Sequence, residues 1–532
     1  MGVFNLKYHV VLIALFCFSS IVQAQHHYVP LYKSVNYSIM NEVDTLGSPV
    51  HTSIRPFRVK DVDSNAWYQS TYGSDIFLDK YVPEFTFNKE SNTPIKLSAF
   101  PIFSFVSGFE SDYNDGGTFE TSIGANFSAF VGSKLDVNLN LIRSHSIYPL
   151  YIRNYAFNNQ VIPGQGFAHA TDWGYHYRNS TGYISYSPDD HFNFQLGRGK
   201  NFWGEGYRTM MLSDFAFNYD YLKITAEFWK IKYSIMWAYM KDIYQIENAP
   251  SSFNGKYTAF HHVSWNITKR LNVQVFEAVV WQEQDSLVRR GFDVTYLNPV
   301  IFYRPAEFSI GSPDNVLLGG GVNYRVSNKI KLYSQIVFDE FKIDELRSRS
   351  GWWGNKYAAQ LGVKYRDAFG KEGLSLQAEG NYVRPFTYSH QNPQQAYGHY
   401  NEPLAHPSGA NFWEAVFLAN YHRNRWYFEY KYVYRQQGMD DPQDPTDNNG
   451  SNIFLSNDLH NSEYGNEVGQ GIAYTTHYSK LYVSWLLSSK SNLMLEGSLS
   501  VWDQDRSSTL HPRSFMASLG IRMGIFNQYG DF

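Results

Sequence analysis

Alternation of apolar and polar residues with a period of two dominates this chain from about residue 96 to its end. In the stretch 425–435, Trp426 and Phe428 lie on one face of such a pattern, whereas Glu429 and Lys431 lie on the other. A repeat of 180° per residue is typical of β-strands with one apolar and one polar face. The pattern predicts about eighteen strands, which start near residues 97, 118, 134, 181, 191, 220, 231, 257, 269, 315, 329, 356, 373, 412, 425, 472, 491 and 514.

The connections between these strands alternate between short and long along the whole chain. Residues 132–134 and 327–329 form tight turns, whereas residues 147–180 and 437–469 form long connections. Such alternation is typical of an up-and-down barrel in an outer membrane, with short periplasmic turns and long external loops. We therefore predict an all-β fold, a transmembrane antiparallel barrel of about eighteen strands with a short N-terminal periplasmic or plug segment.

The composition agrees with strands that turn their apolar face to lipid. Aromatic and charged residues each make up 18% of the chain, and the mean hydropathy is −0.40. Aromatic residues also form the interfacial girdles of membrane barrels. Their abundance excludes intrinsic disorder, and a net charge of −4 offers no basic field for nucleic acid. Two or three soluble β-domains are the alternative. The tryptophans in or beside predicted strands are Trp229, Trp237, Trp265, Trp281 and Trp426.

The N-terminal part of the chain divides into two predicted segments. Residues 1–24 have the pattern of a secretory signal peptide, with Lys7 before an apolar run and cleavage before Gln25. The only cysteine, Cys17, lies within it, so the mature chain has none, which favours a bacterial envelope. Residues 25–95 contain one predicted short amphipathic helix and form the periplasmic or plug segment.

Residues 96–532 form the predicted barrel, located in the bacterial outer membrane. Its last strand is followed by the terminal aromatic Phe532. This ending resembles the signal that outer-membrane proteins present to the barrel assembly machinery. We therefore predict the assembly machinery and outer-membrane lipid as partners.

The most distinctive stretch of the sequence runs from Leu196 to Tyr221 and forms the third long connection. Aromatic faces beside fixed polar groups suit carbohydrate, whose apolar faces pack on rings. The alternative is a loop folded into the lumen for support, with Trp203 packed against the wall. The candidate polysaccharide-binding residues are Arg198, Lys200, Phe202, Trp203, Glu205, Tyr207, Arg208 and Asp214.

The motif GRGKNFWGEGYRTMMLSD at residues 197–214 resembles the signature of the Wzi capsule-assembly family of outer-membrane barrels. More closely, it resembles the RemB-like branch associated with gliding motility. Weaker matches lie at residues 296–300, 332–341 and 400–409. The resemblance implies a barrel of about eighteen strands with a periplasmic helical plug. It also implies a lectin-like role in holding or organising surface polysaccharide.

The sequence therefore predicts a protein that binds or organises surface polysaccharide in capsule assembly or attachment, with a role in gliding motility. One alternative is a porin-like diffusion channel for small solutes, because a barrel of this size has room for an aqueous lumen. The other is an enzyme at the membrane rim, but no nucleophile motif surrounds Ser213 or Ser462. We predict no enzymatic activity, no metal, no cofactor and no nucleic-acid partner.

Overall fold

Eighteen antiparallel strands close into one barrel in a computed structural model of the chain, which describes residues 28–62, 84–87, 93–111, 116–243, 253–284, 290–301, 314–444, 446–506 and 513–532. Each strand pairs with the next along the chain, and the last pairs with the first. The strands are β1 Ile95–Glu110, β2 Gly117–Val131, β3 Leu135–Ile147, β4 Gly174–Tyr186, β5 Phe192–Gly199, β6 Tyr219–Phe228, β7 Ile231–Asp242, β8 Asn254–Asn266, β9 Leu271–Gln282, β10 Asn315–Arg325, β11 Ile330–Glu340, β12 Lys356–Tyr365, β13 Leu374–Val383, β14 Phe412–Arg423, β15 Trp426–Met439, β16 Ile472–Ser488, β17 Leu493–Arg506 and β18 Arg513–Met523.

The predicted fold class is confirmed, and the predicted strand starts lie close to the observed ones. The largest difference is at β4, which begins at Gly174 rather than near residue 181. Residues 174–180 are mostly polar or aromatic, so apolar and polar residues do not alternate there and the pattern does not predict a strand. Short strands outside this set are Ile54–Arg55, Glu84–Phe87, Val161–Ile162, Gly166–Phe167, His169–Thr171, Phe202–Trp203, Gly398–His399 and Glu402–Pro403.

The barrel is apolar outside and polar inside, the reverse of a water-soluble domain. Ile123, Leu361 and Leu519 are 67%, 67% and 65% exposed on the outer wall, whereas Glu379 and Lys431 are buried on the inner wall. A closed barrel of this polarity suits a bilayer because it leaves no unpaired strand edge in lipid. The protein is a β-barrel of the bacterial outer membrane.

Three exposed tryptophans lie at the end of the barrel that carries the short turns, here called the short-turn end. Trp229, Trp265 and Trp426 lie there with exposed side chains, as an interfacial girdle requires. Trp237 and Trp281 also lie on the outer wall but are covered by residues 290–301. Trp237 Nε1 donates to the Tyr296 carbonyl over 2.6 Å, and the Trp281 and Tyr296 rings lie 4.6 Å apart.

Residues 28–62, here called the N-terminal segment, lie inside the short-turn end. Its helix α1 (Lys33–Val43) confirms the predicted amphipathic helix, although it begins after Leu31. Val35 and Ile39 pack on the inner wall of β16 and β17. The predicted signal peptide, residues 1–24, lies outside the described residues, and the proposed division at residue 95 stays a prediction.

The C-terminal tail, residues 524–532, leaves the wall after β18 and turns into the lumen. The predicted last strand is present but ends at Met523, ahead of the terminal Phe532, which packs on Tyr155 and Phe215 inside the barrel. The alternation of apolar and polar residues stops in Asn527–Asp531, and polar partners inside the lumen hold these residues. Recognition by the assembly machinery stays a prediction.

The remaining helices lie in the N-terminal segment or in the connections between strands. Among the described residues, none is long and apolar enough to cross a bilayer. They are α2 (Leu150–Asn159), α3 (Ile343–Ser348) and the short 3-10 helices Val59–Asp61, Val294–Leu297, Ala368–Gly370, Pro393–Gln395 and Asn457–Leu459.

Candidate functional site in the barrel lumen

The glycine-rich motif enters the lumen between β5 and β6, where residues 200–218 form what we call the inner loop. Phe202 and Trp203 pair as a short strand with Arg55 and Ile54 of the N-terminal segment. The Arg55 guanidinium also lies 3.9 Å from the Phe202 ring centroid. The loop and the N-terminal segment therefore form one unit inside the barrel.

Trp203 packs against the inner wall and is 0% exposed. Its ring contacts Phe260 and Phe276 edge-on, with centroids 6.0 and 6.3 Å away. The motif therefore uses its tryptophan as a core residue. This is the arrangement that the sequence offered as loop support.

Glu205 joins the inner loop to the wall and to the N-terminal segment through one buried charge network. It accepts from Lys331 Nζ over 2.7 Å, and Lys331 also donates to Asp44 at the end of α1 over 2.9 Å. Arg325 Nε donates to Asp44 over 2.8 Å. Burial would raise the pKa of Glu205, but the ammonium groups of Lys331 and Lys364 hold it below its ordinary value. The carboxylates therefore fix both inner elements to β10, β11 and β12.

Arg208 joins the inner loop to the tail and to β14. Its guanidinium donates to the Asp531 carbonyl over 2.8 Å and to Glu414 over 3.3 Å. Tyr207 and Lys431 donate to the Asp531 carboxylate over 2.6 and 3.0 Å. Burial would raise the pKa of Asp531, but Arg208 and Lys431 outweigh it and hold the pKa well below its usual range.

Both the start and the later part of the inner loop are held by contacts to backbone groups and to the tail. Lys200 Nζ donates to the Gly164 carbonyl over 2.8 Å. Asp214 accepts from Asn527 over 2.8 Å and from Tyr529 over 2.5 Å. Residues 384–411, here called the second inner loop, cover it from the long-loop end, where Ser213 donates its backbone N–H to the Leu404 carbonyl over 2.7 Å.

The structure thus brings most of the candidate residues together in the lumen but occupies them with protein partners. Of the eight, only Arg198 and Tyr207 retain appreciable exposure. Arg198 lies in β5 and forms a part-exposed ion pair with Asp220, at 2.9 Å. No comparison with known proteins tests the role of these residues. Their partners give them the role of supports for the loop.

Within the described residues, two lumen cavities lie on either side of the N-terminal segment. The first, of about 130 Å³, lies between this segment, the tail and the inner wall of β12–β16. The second, of about 150 Å³, lies against the inner wall of β1–β6. The charged residues that line the first cavity are Lys33, Asp44, Arg55, Asp214, Lys364, Arg366, Glu429, Lys431 and Lys480, and those that line the second are Arg198, Lys200 and Lys490.

Sequence reasoning missed most of the charged residues of the lumen. It placed Glu429 and Lys431 on the polar face of a strand, but it did not single out Lys331, Lys480 or Asp531. The signal for Lys480 was present, since it occupies a polar position between Ser479 and Leu481 in an alternating strand. Asp531 carried no such signal because it lies beyond the last strand.

Comparisons with known proteins give structural neighbours only. No family model matches the chain, and no curated protein matches it. Its fold is similar to that of OccK8 (OprE) from Pseudomonas aeruginosa, with 8% identity, coverage of 80% of this chain and 97% of that chain, and a TM-score of 0.43. It is also similar to that of OprD from Pseudomonas aeruginosa, with 8% identity, coverage of 82% of this chain and 96% of that chain, and a TM-score of 0.41. For OccAB2 from Acinetobacter baumannii the identity is 10%, the coverage is 81% of this chain and 97% of that chain, and the TM-score is 0.41.

The predicted membership in the Wzi capsule-assembly family and its gliding-motility branch is wrong, because the barrels found to be similar are OprD and Occ porins. The predicted role in binding or organising surface polysaccharide is wrong with it. A physical reason lies in the motif, whose aromatic and charged side chains mostly face the interior and contact the barrel's own residues. In this position they present no aromatic faces to a polymer outside the cell.

Proposed function

We propose that the protein is a porin-like channel through which small solutes cross the outer membrane. The observation that carries this proposal is a pair of cavities in the described part of the lumen, of about 130 and 150 Å³, whose walls combine apolar and charged side chains. A cavity needs roughly 10–15 Å³ to hold one water molecule, so each of these cavities holds about ten waters. Cavities of this volume accommodate small solutes and are too small for oligosaccharides. As a channel, the protein catalyses no reaction.

The position of the cavities supports a path from the short-turn end. Arg366 and Lys490 lie in short turns and line the first and second cavity, respectively. At the other end, the first cavity reaches Tyr207 and the second reaches Lys200 of the inner loop. The inner loop is therefore the constriction of the proposed channel.

Solute flux into liposomes tests this function. The purified protein should admit small sugars and amino acids faster than protein-free liposomes do, and should exclude a tetrasaccharide. Tyr478→Ala should raise the flux because this buried ring lines the first cavity. Leu481→Ala is the matched control, since Leu481 is 53% exposed on the lipid face of the same strand.

A barrel that is folded, as judged by heat-modifiable gel mobility, but admits no small solute would refute the channel. Equal flux through the Tyr478 and Leu481 variants would place the path elsewhere than the first cavity.

A further inference from the structure

We infer that a cationic patch on the outer wall of the barrel binds the phosphate group of a lipid in the outer leaflet of the membrane. The patch, here called the arginine patch, consists of Arg143 and His145 of β3, His176 and Arg178 of β4, and His169 of the short strand that pairs with β4. It lies outside the lumen, so the inference is independent of the proposed channel.

The two arginines of the patch occupy adjacent outward positions of the wall. Arg143 and Arg178 are register partners, and both side chains are exposed. Their chain neighbours Ser144 and Tyr177 are buried on the lumen side. Residues directly opposite each other in an antiparallel pair have Cα atoms about 4.5–5.5 Å apart. The two arginine side chains therefore leave the wall side by side and point away from the lumen.

The positive charge of this pair is not balanced by the protein itself. Like charges in directly opposed positions destabilise a sheet. Within the described parts of the chain, neither Arg143 nor Arg178 forms an ion pair or a hydrogen bond through its side chain. Arg513, another exposed residue of the long-loop end, has Asp503 as its register partner instead. An anion from outside the chain would therefore stabilise the arginine pair.

Histidines form a second row beside the arginines. His176 is the register partner of both His145 and His169. The rings of His145 and His176 stack with their centroids 4.0 Å apart, and His145 Nε2 donates to the Trp173 carbonyl over 3.0 Å. An imidazole always carries at least one N–H donor. The row therefore adds hydrogen-bond donors next to the guanidinium groups without adding a negative charge.

The arginine patch lies at the height where lipid headgroups are expected. Below it, toward the short turns, Leu139, Leu141 and Ile184 are 40%, 44% and 51% exposed on the outer face of β3 and β4. Arg143 lies eight residues from Leu135, where β3 begins, which is about 20 Å at 3.3 Å per residue and a tilt of about 40°. The apolar band of such a barrel is about 25 Å tall, and a long arginine side chain extends toward its edge. Because long loops lie outside the cell, the patch faces the outer leaflet.

A phosphorylated lipid fits both parts of this surface. Guanidinium groups bind phosphate oxygens through parallel pairs of hydrogen bonds. The acyl chains of the same molecule pack on the exposed Leu139, Leu141 and Ile184 below the patch. A free phosphate ion would use only the cationic part of the surface. A zwitterionic lipid would bring a cation close to the arginines. The combination therefore favours a lipid whose headgroup is a net anion.

Native mass spectrometry of the purified full-length protein, titrated with lipid in a non-ionic detergent, tests the site. Wild type should retain dioleoyl phosphatidic acid and retain phosphatidylcholine with the same chains much more weakly. The double variant Arg143→Gln, Arg178→Gln should weaken retention of phosphatidic acid by about ten-fold or more, the range expected for hydrogen bonds to a charged group. Arg513→Gln removes the same charge opposite Asp503 and should leave retention unchanged.

Equal retention of the two lipids by wild type would overturn the inference without any variant. Equal retention of phosphatidic acid by the double variant and the Arg513 variant would also overturn it. Inorganic phosphate at the concentration of the lipid should not displace it, because the ion lacks acyl chains. Displacement would show that the ligand is a free ion and not a lipid.

Thermal unfolding gives a second measurement on the same proteins. A ligand that binds only the folded state raises its stability. Phosphatidic acid should therefore raise the unfolding midpoint of wild type and of the Arg513 variant, but not that of the double variant. Without the lipid, the double variant should be at least as stable as wild type, since it loses a repulsion between like charges. An equal rise in all three proteins would place the bound lipid away from the arginine patch.

Discussion

Arg198 and Arg208 lie ten positions apart in one glycine-rich motif, yet the barrel gives them different environments. Arg198 forms a part-exposed pair with Asp220, whereas Arg208 is buried between Asp531 and Glu414. An exposed pair contributes little to stability because water screens it. Removal of one member of a buried pair leaves an uncompensated charge. Arg208 is therefore expected to contribute more to the stability of the folded barrel than Arg198 does.

Arg208→Gln should release the tail from the lumen. The substitution leaves the carboxylates of Asp531 and Glu414 buried without their guanidinium, which costs about 3–5 kcal/mol for a buried pair. A spin label at Gln528→Cys reports the release as increased mobility, since Gln528 is exposed. The predicted mature chain has no cysteine of its own, so the label attaches only there. Arg198→Gln is the control and should leave the label unchanged. A label that stays immobile in the Arg208 variant would show that the ion pairs do not hold the tail.

Sequence reasoning at this scale found the residues but not their surroundings. It picked out Trp203, Glu205 and Arg208 as chemically distinctive, and it left open whether they contact a ligand or support a loop. The partners that decide between these roles lie far along the chain: Glu414 is 206 positions and Asp531 is 323 positions from Arg208. A local pattern contains no information on such contacts, so the choice required the structure.

The strands and the inner elements differ in how far sequence predicts them. A strand such as β15 can be predicted from the sequence because alternate residues face lipid and lumen. The lipid-facing residues are apolar and the lumen-facing ones are polar, so the pattern appears within a few neighbouring residues. The helix α1 was visible for the same reason, since its apolar residues recur at helical spacing. The tail and the inner loop pack on neighbours of mixed polarity, so no period marks them. The sequence therefore predicted the inner loop only as a long connection, and it did not predict that the tail enters the lumen.

Acid should loosen the N-terminal segment. Burial would raise the pKa of Asp44, but Lys331 and Arg325 outweigh it and hold the pKa below its ordinary value in the docked state. The docked segment therefore binds fewer protons than the undocked one. Asp44 stabilises docking above the undocked pKa of about 3.9, and this contribution is lost as pH falls below that value.

A spin label at Glu42→Cys, an exposed position of α1, measures this loosening. Its mobility should stay constant from neutral pH to about pH 5 and rise below about pH 4. In an Asp44→Asn background the acid-dependent rise should shrink, because the titrating group is gone. A rise of equal size in both backgrounds would assign the loosening to other carboxyl groups, such as Asp61, which lies 2.7 Å from Lys232.

At the scale of the whole molecule, the barrel wall is apolar on its outer face and polar on its inner face, which is the reverse of a soluble protein. Large apolar side chains such as Leu361 and Leu519 are exposed, while the ion pairs of Glu205 and Arg208 are buried in the lumen. Charge networks therefore hold the inner loop, the N-terminal segment and the tail in place against the wall. Apolar packing adds to these networks around Trp203.

A charge on the outer wall should therefore destabilise the barrel, and by an amount that depends on depth. Leu361 lies near the middle of β12 and is 67% exposed, so Leu361→Arg should lower the free energy of unfolding in phospholipid vesicles by about 2–4 kcal/mol. Phe369→Arg places the same charge at a short turn, where the expected loss is about 0–1 kcal/mol. Urea titration followed by tryptophan fluorescence measures both values. Equal losses would contradict the orientation of the wall, because only a bilayer around the outer face penalises the charge at one depth and tolerates it at the other.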